Sequence, residues 1–197
     1  MNVLTVVCHP RTTSLTFAVA RQFVDGLTAG GNQTEVLDLH RSGFDPVLRE
    51  VDEPNWSEEA QTFSKEVEDE IERMRRHDAL AFVFPVWWWG MPAMLKGYID
   101  RVWNFGWAYG GHSLPHRRVV WLALAGSGRE AFIEWGFDRE MVHYFDVCLT
   151  RYCGIADSRV EVLYETTGDA KLGTALDPVR AEAMLRRAYD LGLRFAD

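Results

Sequence analysis

Hydrophobic residues form two kinds of pattern that alternate along the chain. Five short apolar runs, rich in β-branched or aromatic side chains, occupy residues 3–7, 35–39, 80–84, 119–124 and 160–163. Runs of this length and composition are typical of β-strands. Between them, and after the last one, apolar residues recur every three or four positions, which is the period of one helical face. The pattern therefore predicts five strands and five helices.

The predicted helices are defined by their apolar faces. These faces comprise Leu15, Ala18, Val19 and Phe23; Phe63, Val67, Ile71 and Met74; Leu95, Tyr98, Ile99, Val102 and Trp103; Met141, Phe145, Cys148, Leu149 and Tyr152; and Met184, Ala188, Leu191 and Phe195. Residues 58–76 are dense in charge, but the second face persists through them, so we interpret the charges as its solvated side. Strands that alternate with helices predict a parallel sheet covered on both faces, because parallel neighbours need crossover connections. The expected fold is a three-layer, doubly wound α/β sandwich.

Length and composition limit the classes of protein to consider. A chain of 197 residues with 47% hydrophobic content suits one domain over residues 1–197. The formal net charge of −8 argues against a nucleic-acid partner. The cysteines and histidines lack disulfide or metal-ligand spacing, so we expect no metal site and a reducing, cytoplasmic location. We also expect no signal peptide and no membrane insertion, because Pro85, Gly90 and Pro92 interrupt the long uncharged run over residues 79–95.

The first loop of interest follows strand one, because ligands of such sheets bind at the carboxyl ends of the strands. It reads CHPRTTSLTF and lacks the glycine patterns of dinucleotide-binding turns and P-loops. Its hydroxyl side chains crowd the start of a helix, where free N–H groups attract an anion such as phosphate. Alternatively, Thr13 or Ser14 simply caps the helix. Cys8 invites comparison with phosphatase nucleophiles, but Ser14 stands where that motif requires arginine, so we interpret Cys8 as a small buried hydrophobe.

The second loop of interest follows strand three and reads FPVWWWGMPAMLKGYIDRVW. Trp87, Trp88 and Trp89 cannot all face the core from one turn, so at least one is expected to border a pocket. Large rigid aromatic rings suit a flat π-system as ligand. The alternative is that the tryptophans cover the sheet end or form a subunit interface.

The third loop follows strand four and reads AGSGRE. Its glycines, Gly126 and Gly128, allow close approach of the backbone to a ligand and could form a nest of N–H groups. An anion seat, an aromatic wall and a glycine-lined wall then converge on one crevice. Together they predict a site for a flavin nucleotide.

These residues also carry a family resemblance over residues 3–165. The first loop, the P-x-x-W-x-x-x-P-A-x-L-K-G core of the second, and GWAYG at residues 106–110 resemble the flavodoxin-like NAD(P)H:quinone oxidoreductases. That group includes the ancillary flavoprotein subunits of glutathione-gated potassium efflux systems. The resemblance implies a five-stranded parallel sheet of order 2-1-3-4-5, a noncovalent FMN or FAD, NAD(P)H as hydride donor, and a quinone or similar aromatic acceptor. It also implies a homodimer. A peripheral regulatory subunit of a transporter and a flavodoxin-like electron carrier are the alternatives.

The resemblance assigns roles to individual positions. The flavin phosphate and ribityl chain would be held by His9, Ser14, Leu15, Thr16 and Phe17. The isoalloxazine would be contacted by Pro85, Val86, Trp87, Trp88 and Trp89, with Ala125, Gly126, Ser127 and Gly128 on the opposite side. The substrate platform would consist of Trp89, Trp107 and Tyr109. The Tyr and His that the quinone reductases place after the third loop are not evident, because Phe132, Glu134, Trp135 and Phe137 occupy that region. We therefore expect backbone N–H groups of the third loop to stabilise charge on the flavin.

Overall fold

The computed structural model describes residues 1–58, 60–168 and 175–197. The strands are β1 (Asn2–Val7), β2 (Gln33–Asp38), β3 (Ala79–Pro85), β4 (Arg118–Leu124) and β5 (Asp157–Leu163). The helices are α1 (Leu15–Ala29), α2 (Lys65–Arg75), α3 (Ala93–Val102), α4 (Arg129–Trp135), α5 (Phe137–His143) and α6 (Pro178–Leu193). A 3₁₀ helix covers Glu50–Asp52, and a π-helix covers Tyr144–Arg151.

The five strands form one parallel sheet in the order β2-β1-β3-β4-β5. The predicted fold class and strand order are therefore confirmed. The chain runs from β1 outward to β2 and then crosses back to β3 on the other side of β1. This reversal opens a crevice at the carboxyl ends of β1 and β3, where the first and second loops meet.

Each face of the sheet carries its own hydrophobic core. On one face, Trp121 of β4 stacks between Phe82 of β3, at a centroid distance of 4.4 Å, and Phe145 of the π-helix, at 4.9 Å. On the other face, α1 and α6 pack together against the sheet, and Phe23 meets Phe195 at 5.9 Å. Burial on both faces explains why the strands lack polar alternation in the sequence.

The region between β4 and β5 corrects the predicted helix count. The apolar face from Met141 to Tyr152 predicts one helix, but the described chain forms the end of α5 and then a π-helix over Tyr144–Arg151. The short helix α4 was not predicted. It is separated from α5 by Gly136, which has a left-handed φ of 78°. A seven-residue helix carries too few turns for its apolar period to stand out in the sequence.

The charged segment before β3 largely follows the prediction. Val67, Ile71 and Met74 of α2 are buried, and most of the charges between them are exposed. Glu70 is the exception, since it is buried and accepts a 3.2 Å hydrogen bond from the Tyr98 hydroxyl. Within the described ranges, no helix combines the length and the hydropathy needed to cross a bilayer.

Candidate functional site

The first loop carries helix α1 to the crevice with an open N-terminus. Ser14 caps the helix, and its Oγ accepts a 3.4 Å hydrogen bond from the Phe17 amide. The amides of Leu15 and Thr16 meet no acceptor in the described part of the chain. Free amides and the positive end of the helix dipole therefore point to an anion at this position. Capping and anion binding are thus compatible here, because they use different N–H groups.

His9 stiffens the same loop. Its Nδ1 accepts a 3.0 Å hydrogen bond from the Arg11 amide in one tautomer and donates to the Arg11 carbonyl, at 3.1 Å, in the other. Burial of the ring lowers the pKa of His9, and the nearby positive charges of Arg11, His40 and Arg41 reinforce that shift. In the first tautomer a neutral His9 carries its proton on Nε2 and can donate it to a ligand in the crevice.

Cys8, directly before His9, is fully buried. Burial raises the pKa of its thiol to about 12, so the sulfur is protonated and unreactive at neutral pH. The interpretation of Cys8 as a core hydrophobe is confirmed.

The second loop begins with a tight turn over residues 87–90. The Trp87 amide donates to the Gly90 carbonyl at 3.0 Å, and the Gly90 amide donates back at 3.1 Å. Trp88 and Trp89 both have positive φ, 49° and 62°. Positive φ at both central positions defines a type I′ turn, a conformation that normally selects Asn and Gly. Two tryptophans in these positions store strain, and strain of this kind concentrates at functional sites.

The turn sends its three indoles in different directions. Trp87 lies against His9 with ring centroids 6.2 Å apart. Trp88 is 97% exposed, whereas Trp89 is 41% exposed and stacks on Phe137 at 3.8 Å. The expectation that the turn cannot bury all three indoles is confirmed.

Two adjoining cavities connect these loops. The first, of about 440 Å³, lies over the start of α1 and is lined by His9, Pro10, Arg11, Ser14, Leu15, Thr16, Pro85, Val86, Trp87, Leu124, Gly126, Thr166 and Thr167. The second, of about 340 Å³, is lined by Val86, Trp88, Trp89, Ala125, Gly126, Ser127 and Phe132. Val86 and Gly126 border both cavities, so the two form one elongated crevice.

Most of the sequence-predicted residues meet in this crevice, but some do not. Phe17 does not line it, and its ring lies beneath Arg41 at 5.5 Å instead. Gly128 also lies outside the lining and serves as N-cap of α4. Sequence reasoning missed Thr166 and Thr167, which follow β5. Two hydroxyl side chains shortly after a predicted strand could have indicated a ligand contact. The rule that ligands bind where the strand order reverses favoured the other loops instead.

Trp107 and Tyr109 do not line this crevice within a single chain, and the platform that would join them to Trp89 stays a prediction. Trp107 is buried under Arg75, whose guanidinium carbon lies 4.7 Å from the indole centroid, and it borders a different cavity beside α2. Tyr109 packs against Phe105 and Tyr152, at 5.9 and 5.8 Å. The 104–110 segment folds back on itself through a hydrogen bond from the Gly106 amide to the Tyr109 carbonyl, and this holds both rings away from Trp89.

The crevice fits an elongated ligand with an anionic end and a flat aromatic end. Free helix amides and hydroxyl groups lie at one end, and indole rings lie at the other. The amides of Gly126, Ser127 and Gly128 donate to no protein acceptor among the described residues, and a Cβ on Gly126 would meet Thr167 at 3.3 Å. The polar backbone of this wall is therefore available to the edge of a ring system.

A family model described as a flavodoxin-like fold matches residues 1–184. The chain is 42% identical over 167 residues to the uncharacterized NAD(P)H oxidoreductase YcaK of Escherichia coli, covering 84% of each chain. It is similar to the structure of an NAD(P)H:quinone oxidoreductase from Methanothermobacter marburgensis, with 30% identity, a TM-score of 0.90, and coverage of 100% of this chain and 96% of that one.

A shorter match reaches a different kind of protein. Over 72 residues, or 36% of this chain, the sequence is 38% identical to the glutathione-regulated potassium-efflux system ancillary protein KefF of an Enterobacter species. That match covers 41% of the relative.

Proposed function

The chain belongs to the flavodoxin-like fold family, and on that premise we propose that it is a flavin-dependent NAD(P)H oxidoreductase that reduces quinones or similar small aromatic acceptors. The relatives named as NAD(P)H oxidoreductases support the reaction class. Flavin use is supported chiefly by one observation, the continuous crevice that joins the start of α1 to the aromatic turn and the glycine wall.

The residues of the crevice divide the tasks of holding FMN or FAD. The amides of Leu15 and Thr16 and the Nε2 proton of His9 would bind phosphate. Pro85 and Val86 would border the ring system, with Gly126 and Ser127 across from them. When bound, the flavin supplies the capacity to accept a hydride and pass it on.

Charge on the reduced ring system calls for hydrogen-bond donors, since the Tyr and His of the better-known quinone reductases are missing here. Phe132 and Phe137 stand in that region and offer none, and both pack against Trp89. Backbone amides of Gly126, Ser127 and Gly128 are fixed at the end of β4 and cost no reorganisation. We propose that they take over this stabilising role.

Steady-state kinetics test the reaction class. With NADH or NADPH and a simple quinone, a two-step hydride transfer through one site gives parallel double-reciprocal lines, because the donor leaves before the acceptor binds. An electron carrier that serves protein partners would show negligible turnover of free quinone. The open, aromatic-lined cavity around Trp88 and Trp89 favours the small acceptor over the carrier.

A regulatory role beside a membrane transporter is the second candidate, and the local match to an ancillary protein of a potassium-efflux system supports it. The two roles are compatible. Co-purification of a potassium-efflux protein with the tagged chain would support the regulatory role. If the tagged chain retains no transporter from membrane extracts that contain it, the regulatory role is contradicted.

We also propose that the chain forms a homodimer. Trp135 and Tyr152 are 69% and 66% exposed, and large exposed rings of this kind are common at interfaces. Light scattering on the purified protein measures the mass directly. A mass of one chain at micromolar concentration would contradict this part of the proposal.

A further inference from the structure

Arg41 connects the turn after β2 to the first loop. Its Nη1 donates to the His9 carbonyl at 3.3 Å, and its Nη2 donates to the Pro10 carbonyl at 2.5 Å. Within the part of the chain that the structure describes, no other donor reaches these two carbonyl oxygens. The backbone at this point of the loop therefore depends on one side chain that is 31 or 32 residues away in sequence.

The guanidinium of Arg41 is itself held in place. Asp38, the last residue of β2, accepts from Nη1 through both carboxylate oxygens, at 3.1 and 3.0 Å. Asp38 Oδ1 also accepts a hydrogen bond from the His40 amide, at 3.1 Å. Phe17 of α1 lies under the guanidinium carbon, 5.5 Å from ring centroid to carbon. Such a planar group, fixed by carboxylate and ring, is a rigid fork for two carbonyls.

A chain of hydrogen bonds leads from this fork to the open end of α1. Arg41 holds the carbonyl of His9, and the ring of His9 accepts from the Arg11 amide at 3.0 Å. The Arg11 carbonyl in turn accepts from the Ser14 amide at 3.3 Å. Ser14 then caps the helix whose first amides face the cavity. Displacing the fork would loosen each of these bonds.

We propose that Arg41 is a positioning residue for the flavin phosphate. It acts through the His9 and Pro10 backbone, and it does not touch the phosphate itself. This inference rests on the proposed function, since it assumes that the crevice binds a flavin nucleotide. Arg41 would support phosphate binding through the geometry of its hydrogen bonds rather than through its charge, because Asp38 already pairs with the guanidinium and Arg41 is absent from the cavity lining. A lysine at this position would keep the charge but could not bridge two carbonyls and a carboxylate at once.

The test compares two ligands on three variants. Apoprotein carrying Arg41→Met or Arg41→Lys, and a control carrying Arg49→Met, are titrated with FMN and with riboflavin, which lacks the phosphate. Arg49 is a matched control because it also pairs with a nearby carboxylate, Asp45 at 2.9 Å, and lies outside the crevice. We expect about tenfold weaker FMN binding in both Arg41 variants, little change with riboflavin, and no change in Arg49→Met.

Each outcome has one interpretation. Restoration of FMN affinity by Arg41→Lys would show that charge suffices and would overturn the geometric role. Unchanged FMN affinity in both Arg41 variants, with binding intact in the parent protein, would overturn the inference alone. Equal weakening of FMN and riboflavin binding, with a lower melting temperature, would show a general structural role and would also contradict the inference.

Failure of the parent protein to bind either ligand would refute the proposed function, and the inference would fall with it. Should Arg41→Met not fold, Arg41→Lys answers the question by itself.

Discussion

Three adjacent tryptophans occupy three different environments, although nothing in their residue type distinguishes them. Trp87 lies against His9, Trp88 projects into solvent, and Trp89 stacks on Phe137 while it borders the cavity. Their roles follow from the dihedral angles of one turn rather than from side-chain chemistry. Trp89 joins a packed face to an open one, which is the arrangement a substrate platform needs.

Replacing Trp89 by alanine tests that role. We expect a higher KM for the quinone and a kcat/KM lower by about tenfold, if stacking contributes about 1.4 kcal/mol in the transition state. Flavin content should change less. The melting temperature should also fall less than for a core aromatic, whose removal costs about 3–5 kcal/mol, because Trp89 is 41% exposed.

Trp56→Ala is the control for this experiment, since Trp56 is an exposed indole that does not line the crevice. Kinetics, flavin occupancy and melting temperature are measured on both variants. An unstable Trp89→Ala protein with normal kinetics in its flavin-loaded fraction would identify Trp89 as a structural plug and contradict the platform.

Residues whose role depends on local sequence could be predicted, and those that depend on a distant contact could not. The capping function of Ser14 and the burial of Cys8 follow from their neighbours in the chain. Arg41 gave no signal, because its importance arises only when β2 lies beside β1 and brings the two loops together. Trp107 carried a signal from its motif, but the fold of its own segment places it beside α2.

At the scale of elements, the type I′ turn between β3 and α3 has an unusual composition. Positive φ costs most residues with a Cβ about 1–2 kcal/mol, whereas Asn tolerates it because its short polar side chain can hydrogen-bond locally. Trp88 pays this cost while its side chain is 97% exposed and gains little from packing. The conformation of the turn therefore lowers the stability of the protein, as is common where a residue serves function.

Changing Trp88 to asparagine should stabilise the protein. We expect a gain of about 0.5–1 kcal/mol, which corresponds to a melting temperature about 1–4 °C higher in a protein of this size. The activity toward quinones should fall at the same time, because an indole bordering the cavity is lost. Trp56→Asn is the control, as Trp56 is 69% exposed and has no positive φ. A lower melting temperature for Trp88→Asn than for the control would contradict the assignment of strain.

The strands and long helices were predictable, and the segment between β4 and β5 was not. Strands buried on both faces and helices of ten or more residues repeat their pattern often enough to be recognised, as in α1 and α6. A π-helix has more than 3.6 residues per turn, but the apolar residues of Tyr144–Arg151 recur at the spacing of an ordinary helix, so the sequence does not reveal it. The hydrogen-bond pattern of this helix depends on tertiary packing, such as the contact between Phe145 and Trp121.

For the whole molecule, pH should affect stability through a buried histidine far from the crevice. His116 Nε2 lies 3.0 Å from the Met74 carbonyl, and Nδ1 has no hydrogen-bond partner among the described residues. A second ring proton would therefore be buried without an acceptor. Burial accordingly lowers the pKa of His116 below its usual value of 6.5.

The sign of the effect follows from this lowered pKa. Above pH 6.5 both folded and unfolded His116 are neutral, and its contribution to stability is complete. As the pH falls below that value, the unfolded chain binds a proton that the folded chain excludes, so stability decreases by up to about 1.4 kcal/mol per pH unit until the folded pKa is reached. Urea unfolding from pH 7.5 to 5.5 should show a flatter profile for His116→Gln, which keeps a donor to Met74. Parallel profiles for the two proteins would contradict this role.

The overall architecture was the most predictable level, because it follows from alternation alone. Parallel strands joined by helices allow few topologies, and the family resemblance selects the order 2-1-3-4-5 that the structure has. The position of the crevice follows from that order. Its lining was only partly predictable, since Thr166 and Thr167 enter from the far end of the sheet.

Flavin binding by the purified chain tests the central claim most directly. The apoprotein is mixed with excess FMN or FAD and desalted, and the absorbance spectrum of the protein fraction is recorded before and after anaerobic addition of NADH or NADPH. We predict a yellow protein that retains flavin in proportion to the chain concentration and is bleached by at least one nicotinamide. A protein fraction free of both flavins, from a chain shown to be folded by circular dichroism, would contradict the account.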